Sequence, residues 1–432
     1  MSDILTADFK AEPYWWEDAA PVAASDGDLP QRTDVLIIGS GYTGLHAALQ
    51  TARGGRDTVV IDAEAAGWGC STRNGGQIST SIKPSIEALT DRHGEAIAHA
   101  IHREGHDSIG FVERFVRDEK IDCDFRTAGR FYGAHSPRHY DWLAGKYAKK
   151  GPPGLEVEAH MVSRSDQHCE IGTDSYYGGA VIPAHANLHP AKYHSGLAER
   201  VLEAGARIVP YCRAEAIDRE AGGFRVRTAR GTLDARTVVI ATNGYTGPLT
   251  PWHRRRFIPI GSYVIATEEL EPAVIDRLMP TDRNIVDTRR VVFYYRTSPD
   301  RKRIVFGGRV SISETDPTQS AGRLRAHLVR LFPELKAVRI SHSWMGFVAY
   351  TFDELMHIGE TDGLHFAGGY CGSGVGLASY LGMKLGKRVL GEPDGATAFA
   401  DIPFPTRPLY TGNPWFLAPT VAVYNVLDRL GV

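Results

Sequence analysis

The chain has 432 residues, more than one hydrophobic core usually serves, so two domains are expected. A net charge of −2 gives no electrostatic argument for nucleic acid or an acidic membrane as a partner. Five cysteines lie far apart in the sequence, which argues against a disulfide framework or a zinc ribbon and favours a reducing compartment. No secretory signal and no run of about 18 apolar residues is present, so we expect a cytoplasmic protein without a membrane span.

Residues 1–30 precede the first clear strand pattern. We predict that they form an extension laid across the surface, where Tyr14, Trp15 and Trp16 pin it by burying aromatic area. Nothing in their composition indicates a function.

The strongest motif follows this extension. The apolar run 34–38 leads into the GxGxxG sequence of residues 39–44, and apolar residues then recur at helical spacing. Between a strand and a helix, such glycines let the backbone approach a pyrophosphate at the positive end of the helix dipole. The next predicted strand, 58–61, ends in Asp62, 23 residues after Gly39, close to the offset of the acid that binds a ribose hydroxyl. The pattern therefore predicts a bound dinucleotide.

Three further segments are expected at the same site. Residues 67–77 are too polar and too rich in glycine for a helix or strand, and their place after the Asp62 strand indicates that backbone and Arg73 face the cofactor. The strand pattern 237–240 ends in a small-residue turn, a second place for backbone to contact a dinucleotide. Near the end, 364–376 read as a strand and a glycine-rich turn before another helix.

Two groups of histidines do not predict a metal site. His99, His102 and His106 share one face of a predicted helix over 84–120, and the pattern supplies no further ligands, so a solvated face is favoured. The second group comprises His185, His189 and His194. Pro190 prevents these residues from sharing one regular helix, so a metal site is not predicted here either.

The chemistry follows from the number of glycine-rich segments. A second complete GxGxxG is absent from the sequence, which argues against a separate nicotinamide site, so electrons come directly from an organic substrate. The loop at 67–77 and the helix after residue 374 are explained if they flank a flavin ring, because a helix N-terminus favours negative charge on the reduced ring. We therefore predict a flavin oxidase or dehydrogenase.

A family resemblance points the same way. Its motifs are YWW at 14–16, DVLIIGSGYTGL at 34–45, GWGCSTRNGGQ at 67–77, ATNGYTG at 241–247, AYTFDELMHIG at 349–359 and GGYCGSGVGLASYLG at 368–382. Together they resemble the D-amino-acid oxidase superfamily of FAD enzymes, and more narrowly its glycine/sarcosine-oxidase-like branch. The resemblance implies an α/β fold in which a discontinuous Rossmann-type FAD-binding domain joins a mostly antiparallel-sheet substrate domain. The boundaries would be 31–120, 184–248 and 351–432 for the first domain, and 121–183 and 249–350 for the second.

The resemblance also implies the residues that bind FAD. Gly39, Gly41 and Gly44 would hold the pyrophosphate and Asp62 the adenosine ribose. The remaining predicted contacts are Tyr42, Thr43, Ala63, Cys70, Ser71, Arg73, Asn74, Gly75, Gly76, Gln77, Ala241, Thr242, Asn243, Gly372, Ser373, Gly374 and Val375. Some members attach FAD through a cysteine at the position of Val348, so we expect non-covalent FAD here.

The implied reaction is oxidation of a C–N bond in an amine or amino acid. Hydride would pass to flavin N5, the imine would hydrolyse to a carbonyl, and dioxygen would reoxidise the flavin with release of H₂O₂. Many relatives have Gly-His-Gly where this chain has Gly372-Ser373-Gly374, which leaves the electron acceptor open. The alternatives are a dehydrogenase that passes electrons to a quinone or carrier protein, and a non-catalytic flavin-holding protein.

The sequence predicts a small-molecule amine as substrate and leaves the oligomeric state open. Hydride transfer needs chiefly a neutral amine held at the flavin, so we assign no general base. Candidates to line the substrate pocket are Tyr263, Tyr294, Tyr350 and His253.

Overall fold

The computed structural model describes residues 4–22, 28–80, 82–149, 151–309 and 315–431. Its strands are β1 (Leu5–Lys10), β2 (Arg32–Ile38), β3 (Thr58–Ile61), β4 (Gln77–Ile78), β5 (Arg130–Gly133), β6 (His160–Val162), β7 (Gly179–Ile182), β8 (Ala186–Asn187), β9 (Arg207–Val209), β10 (Ala214–Glu220), β11 (Gly223–Thr228), β12 (Gly231–Ile240), β13 (Ile258–Thr267), β14 (Asn284–Asp287), β15 (Phe293–Thr297), β16 (Ile304–Gly308), β17 (Ile340–Tyr350), β18 (His357–Thr361) and β19 (Leu364–Gly368). Its helices are α1 (Tyr42–Arg53), α2 (Ile86–His93), α3 (Glu95–Asp118), α4 (Pro137–Ala148), α5 (Pro190–Glu203), α6 (Pro251–Arg254), α7 (Pro272–Leu278), α8 (Pro317–Leu331), α9 (Gly374–Leu390) and α10 (Leu417–Leu430).

One sheet carries the nucleotide motif. Within the described residues it has eight strands, and β12, β2, β3 and β9 run parallel in that order, with β9 at the edge. Those strands are apolar at nearly every position because both faces of the sheet are covered. Helices α1, α3, α5 and α9 pack on one face, and β10, β11 and the start of β12 pack on the other. The carboxyl ends of β2, β3 and β12 therefore meet at one edge, which places Gly39, Asp62 and Ala241 together.

The second sheet lies across the cavity from this edge. Among the described residues it has nine strands in the order β1-β17-β13-β16-β15-β14-β5-β7-β6, mostly antiparallel. One face packs on α8 and a core that includes Phe131, Tyr263 and Phe306. The alternate residues of the same strands, such as Tyr132 next to Phe131, point to the opposite face and line the cavity.

The described part of the N-terminal extension forms part of the nine-stranded sheet and its core, whereas a surface position was predicted. β1 pairs in parallel with β17 at the edge of the nine-stranded sheet, and Trp15 is fully buried. An edge strand exposes unpaired backbone groups, so this pairing also protects β17. Residues 1–3 and 23–27 lie outside the described part of the chain.

The predicted α/β fold class is confirmed, with parallel strands around the nucleotide motif and a mostly antiparallel second sheet. The domain boundaries stay a prediction. In the part of the chain that the structure describes, no helix is both long and apolar enough to cross a membrane. The cytoplasmic location likewise stays a prediction.

Candidate functional site

A large cavity lies between the two sheets. Its volume is about 1440 Å³. Pockets that hold one drug-sized ligand measure roughly 300–1,000 Å³, so this cavity has room for a dinucleotide together with a second small molecule. It extends from the nucleotide edge of the eight-stranded sheet to the open face of the nine-stranded sheet.

The turn after β2 is built as a phosphate cradle. Gly39 has a φ of +110°, which favours glycine, and its N–H donates to the carbonyl of Ile61 at 2.9 Å. Gly41 caps α1 in extended backbone, and no side chain of its own caps the helix. Because Gly41 carries no Cβ, the first turn of α1 stays open toward the cavity.

Asp62 closes the same edge. Its Oδ2 accepts hydrogen bonds from the N–H of Ser40 at 2.9 Å and from the Ser40 hydroxyl at 2.6 Å. Its Oδ1 accepts from the N–H of Glu64 at 3.1 Å. The carboxylate is therefore held rigidly at the cavity wall, with remaining lone pairs that suit a ribose hydroxyl.

The glycine-rich loop over 67–77 is held from within by Asn74. The side-chain amide donates to the carbonyls of Cys70 at 3.1 Å and Ser71 at 2.8 Å, while its oxygen accepts from the N–H of Gly76 at 2.8 Å. The guanidinium of Arg73 lies between the rings of Trp16 and Trp68, at 4.6 Å and 4.3 Å. Asn74 thus shapes the loop, a role that sequence reasoning did not assign.

The loop is also held from outside by three indoles. The Nε1 atoms of Trp15 and Trp344 donate to the carbonyls of Asn74 and Arg73, each at 2.8 Å. Trp16 donates to the Thr72 hydroxyl at 2.9 Å. The sequence indicated that the upstream tryptophans are buried, but it did not predict their hydrogen-bond partners, because these contacts span more than 50 residues of chain.

Helix α9 brings a second positive dipole to the cavity. Its Gly382 packs on Thr43 and its Gly386 on Ala47 and Gln50, so α9 runs parallel to α1 with both N-termini at the same end. The side chain of its N-cap residue, Ser373, makes no capping hydrogen bond to the helix. At α1 the Tyr42 N–H already donates to the Ser71 hydroxyl at 3.0 Å. Two helix N-termini facing one cavity still favour an anionic ligand there.

Most of the predicted cofactor residues line this cavity. They are Gly39, Gly41, Tyr42, Thr43, Asp62, Ala63, Cys70, Ser71, Arg73, Asn74, Gly75, Gln77, Ala241, Thr242, Asn243, Gly372, Ser373, Gly374 and Val375. Gly44 and Gly76 lie behind the wall, where a Cβ would come within 1.9 Å of the Gly39 carbonyl and 2.2 Å of the Leu188 carbonyl, respectively. They support the turn and the loop instead of facing the ligand.

Two of the four pocket candidates, Tyr294 and Tyr350, also line the cavity. Tyr294 lies across Gly307 and shares a 2.9 Å hydrogen bond with the Ser262 hydroxyl, and burial raises the pKa of its phenol to about 12. The ammonium of Lys83 lies 5.2 Å from the centre of the Tyr350 ring. Both phenols therefore stand between the glycine-rich segments and the open face of the second sheet.

Tyr263 and His253 lie away from the cavity, contrary to expectation. Tyr263 is buried on the core face of β13, where its hydroxyl accepts the N–H of Thr315 at 2.8 Å, and the adjacent Ser262 takes the cavity face. Strand residues alternate between faces, and the sequence does not show which face is which. His253 is buried on α6 between Trp252 and Phe366, with ring centroids 5.0 Å and 4.8 Å away.

The burial of His253 predicts an acid-stability effect. Desolvation lowers its pKa to about 4, with Arg256 adding to the shift, whereas an unfolded histidine titrates near ~6.5. Below about pH 6.5 the unfolded chain binds a proton that the folded chain does not. The free energy of unfolding therefore falls as the pH decreases from about 6.5 towards 4, by at most ~1.4 kcal/mol per pH unit.

His253→Phe should reduce this loss. Neither ring nitrogen of His253 has a hydrogen-bond partner among the described residues, so the variant should be at least as stable as wild type at pH 7. Denaturant unfolding at pH 7 and pH 5 measures the difference. Equal losses in wild type and variant would contradict the assignment.

The other histidines are also less exposed than expected. His102, His106 and His185 line the cavity instead of facing solvent. His189 accepts the N–H of Lys192 at the start of α5, and His194 donates to the Ser40 carbonyl at 2.7 Å. In the described residues, no group of three or more His, Cys, Asp or Glu is arranged to hold a metal ion.

These features fit FAD. The two helix N-termini match a pyrophosphate and an electron-rich ring, and Asp62 matches a ribose. The space beside Gly41, which a Cβ would fill, permits close approach of phosphate. Fold and cavity together define a dinucleotide-binding flavoprotein.

The comparisons with known proteins specify the family. Residues 34–388 match the model of the DAO family, FAD dependent oxidoreductase, and the chain belongs to this family of FAD-dependent enzymes. It is 29% identical over 405 residues to gamma-glutamylputrescine oxidoreductase of Escherichia coli, covering 92% of this chain and 93% of that protein. It is 30% identical over 403 residues to the probable oxidoreductase OrdL of Rhizobium meliloti, covering 91% and 92%.

Among solved structures, glycine oxidase from Geobacillus kaustophilus is similar, with a TM-score of 0.72 at 18% identity. The match covers 88% of this chain and 99% of that one. The predicted superfamily and FAD as cofactor are confirmed.

Proposed function

We propose that this enzyme binds FAD non-covalently and oxidises the C–N bond of an amine or amino acid. The observation that supports it is the large cavity, which joins the nucleotide turn to a chamber floored by the second sheet. The E. coli relative is named for a glutamyl-substituted diamine and the similar solved structure for glycine, so both names specify an amine.

The chain's own residues would hold the cofactor at the chamber. Gly39, Gly41 and the start of α1 bind the pyrophosphate, and Asp62 the ribose. The loop over 67–77 and the start of α9 flank the ring. When bound, FAD accepts a hydride from the carbon beside the amine nitrogen.

The described residues give the chamber no buried carboxylate as a base. Among the described residues lining the whole cavity, the carboxylates are Asp62, Glu64, Glu215 and Glu354. The first three follow β3 or lie on β10, at the nucleotide end, and Glu354 is exposed. Tyr294 stays protonated at neutral pH because burial raises its pKa to about 12. Burial lowers the pKa of the cavity-lining histidines His102, His106 and His185, which makes them weak bases. We infer that the substrate amine reacts as the neutral species that it supplies itself.

This requirement predicts the pH dependence. The value of kcat/KM should rise about tenfold per pH unit below the pKa of the substrate amine and level off above it. Two substrates with different amine pKa values should shift the profile by that difference. A profile fixed at one enzyme pKa for both substrates would contradict the absence of an enzyme base.

The test of the function begins with the visible spectrum before and after acid precipitation. Yellow colour released to the supernatant supports non-covalent FAD, and colour kept in the pellet overturns it. Anaerobic titration with primary, secondary and polyamine substrates should then bleach the flavin. Failure with every amine class would favour a flavin-holding protein without catalysis.

A separate experiment identifies the electron acceptor. Peroxide formed in air at the rate of amine consumption supports an oxidase. Slow peroxide formation with fast turnover on an artificial quinone supports the alternative, a dehydrogenase that passes electrons to a quinone or carrier protein.

A further inference from the structure

We propose that helix α10 is a movable wall of the cavity, which tilts to let the substrate in and the product out, and that the Asp428 carboxylate is the latch that holds it shut. This proposal rests on the proposed function for its substrate and extends it to the route by which that substrate reaches the chamber. The residues of α10 that line the cavity are Leu417, Thr420, Val421 and Tyr424.

The position of the cofactor determines which end of the cavity the substrate can use. At the nucleotide end the lining includes the exposed residues Arg213 and Glu215. FAD that binds Asp62 through its ribose would fill this end. The substrate therefore needs a second route, at the chamber end, where the lining comes from α4, from α10 and from the turn between β14 and β15.

Helix α10 is the weakly packed element of that wall. Among its described residues Val421 alone is buried, and within the described chain no side chain of α10 belongs to a hydrophobic core cluster. The neighbouring α4, by contrast, places Leu143 in a cluster with Ala134 and Ala180. Segments with few buried apolar contacts open at the lowest free energy, so α10 is the element expected to move.

The outer face of α10 is apolar as well. Val423, Val426 and Leu430 lie on one stripe of the helix at helical spacing, with 55%, 54% and 70% of their surface exposed. A tilt that exposes Leu417 and Val421 can therefore cover part of this outer stripe. Because the hydrophobic effect has no direction, burial holds α10 on the cavity only weakly, and polar contacts decide its position.

Asp428 supplies the strongest of these polar contacts. Its Oδ1 accepts the N–H of Arg290 at 2.8 Å, and its Oδ2 accepts the N–H of Val291 at 3.0 Å. Both donors lie in the turn between β14 and β15, and both residues line the cavity. The Ser136 hydroxyl adds a longer bond, 3.3 Å, to the Gly431 carbonyl. A carboxylate that accepts two backbone N–H groups makes charge-assisted bonds, so it fastens the far end of α10 to the chamber rim.

The segment before α10 provides an anchor and a hinge. Tyr410 is buried and its hydroxyl donates to the Phe257 carbonyl at 2.6 Å, while the Phe416 ring packs 5.7 Å from the Tyr410 ring. Between them Gly412 has a φ of +100°, which favours glycine. A helix of 14 residues is ~21 Å long, so a tilt of about 20° moves its far end by roughly 7 Å. A carbon chain needs only ~3.5–4 Å to each wall atom, so this tilt admits an alkylamine.

The first experiment measures opening by thiol alkylation in FAD-loaded enzyme. Val421→Cys, made together with Cys169→Ser to remove an exposed thiol, places a thiol at a position that is 5% exposed. Asp428→Ala should raise its rate of reaction with N-ethylmaleimide by about tenfold or more, because both bonds to a charged group are lost. Asp428→Asn keeps one acceptor and should have a smaller effect. The same proteins with Val421 intact correct for the other thiols.

Arg429→Gln is the matched control, because Arg429 is exposed on the same turn of α10. It should leave the alkylation rate unchanged. Alkylation of the Asp428→Ala protein at the rate of its parent would overturn the latch. FAD content and circular dichroism confirm that each variant is folded.

The second experiment locks the helix. A Cβ built on Gly431 lies 3.2 Å from the Cβ of Ser136, close to the ~3.5–4.5 Å of a disulfide. In protein that carries Ser136→Cys and Gly431→Cys, oxidation should slow anaerobic flavin reduction by an amine about tenfold or more, and dithiothreitol followed by desalting should restore it. Gly431 has a φ of +70° and Ser136 caps α4, but the resulting strain is common to both redox forms. Equal rates in the two forms would overturn the movable wall.

The two experiments separate this proposal from the proposed function, since alkylation requires neither an amine nor turnover. If amines reduce the flavin equally fast in the oxidised and reduced forms, the movable wall is wrong and the function stands. If no amine reduces the flavin of the wild-type enzyme, the function is wrong, and the alkylation rates alone decide whether α10 opens.

Discussion

Gly41→Val should yield a folded protein that no longer retains FAD. Gly41 lies in extended backbone with φ of −73°, which valine adopts without strain. Within 4 Å an added Cβ would meet only the Ser71 side chain, whose hydroxyl oxygen would be 2.8 Å away. That hydroxyl can rotate away at the cost of the 3.0 Å hydrogen bond that it accepts from the Tyr42 N–H. The rest of the valine would occupy the space through which a pyrophosphate approaches the start of α1.

The expected loss is about 3 kcal/mol of binding free energy, roughly a hundredfold in Kd, since charge-assisted hydrogen bonds from the helix N-terminus can no longer form. The FAD absorbance of the purified protein and fluorescence titration of the apoprotein measure it. Circular dichroism should match wild type.

Two other glycines act as controls. Gly145→Ala on α4 meets no atom within 4 Å and should keep wild-type FAD. Gly44→Ala places a Cβ 1.9 Å from the Gly39 carbonyl, so it should lose stability as well as FAD. Wild-type FAD content in Gly41→Val would show that no phosphate lies at this turn.

Trp15→Ala should cause the largest loss of stability. Trp15 is fully buried against Trp344 and His189, with ring centroids 6.5 Å and 5.0 Å away, and its indole donates to the Asn74 carbonyl. Truncating a buried tryptophan to alanine typically costs ~3–5 kcal/mol. The loop over 67–77 loses one of its three indole anchors at the same time, so FAD should also bind more weakly.

The matched variant is Trp15→Phe. It keeps a buried ring and removes the hydrogen bond to Asn74, so it should cost about 1–2 kcal/mol while still weakening FAD. Trp415→Ala is the control, because Trp415 is 65% exposed and should change stability by less than ~0.5 kcal/mol. Thermal unfolding with and without added FAD measures each effect. A Trp15→Ala protein as stable as the Trp415→Ala control would contradict the burial of the N-terminal segment.

The local parts of the site could be predicted from the sequence. The glycines of residues 39–44 and the offset to Asp62 depend on backbone conformation or periodicity within a few turns of chain. Most cofactor residues predicted from the family motifs also line the cavity. Their contacts with FAD stay proposals.

The choice of face on a strand could not be predicted. Ser262 and Tyr263 are adjacent on β13, and both are compatible with a pocket, yet packing against α8 places Tyr263 in the core and leaves Ser262 to pair with Tyr294. A strand without a clear polar–apolar alternation carries no local signal for the buried face. His253 was misassigned for a related reason, since its aromatic neighbours include the distant Phe366.

By itself, then, the sequence determined the nucleotide turn, the acid that follows it, the fold class and the family, because each is encoded by residues close together or by a motif in fixed order. Only the tertiary structure decided how Trp15 anchors the loop over 67–77 and how Lys83, Arg130 and Lys146 come to line one cavity. Those residues come from separate segments of the chain. Their proximity arises when the nine-stranded sheet closes over the cavity, which no local pattern specifies.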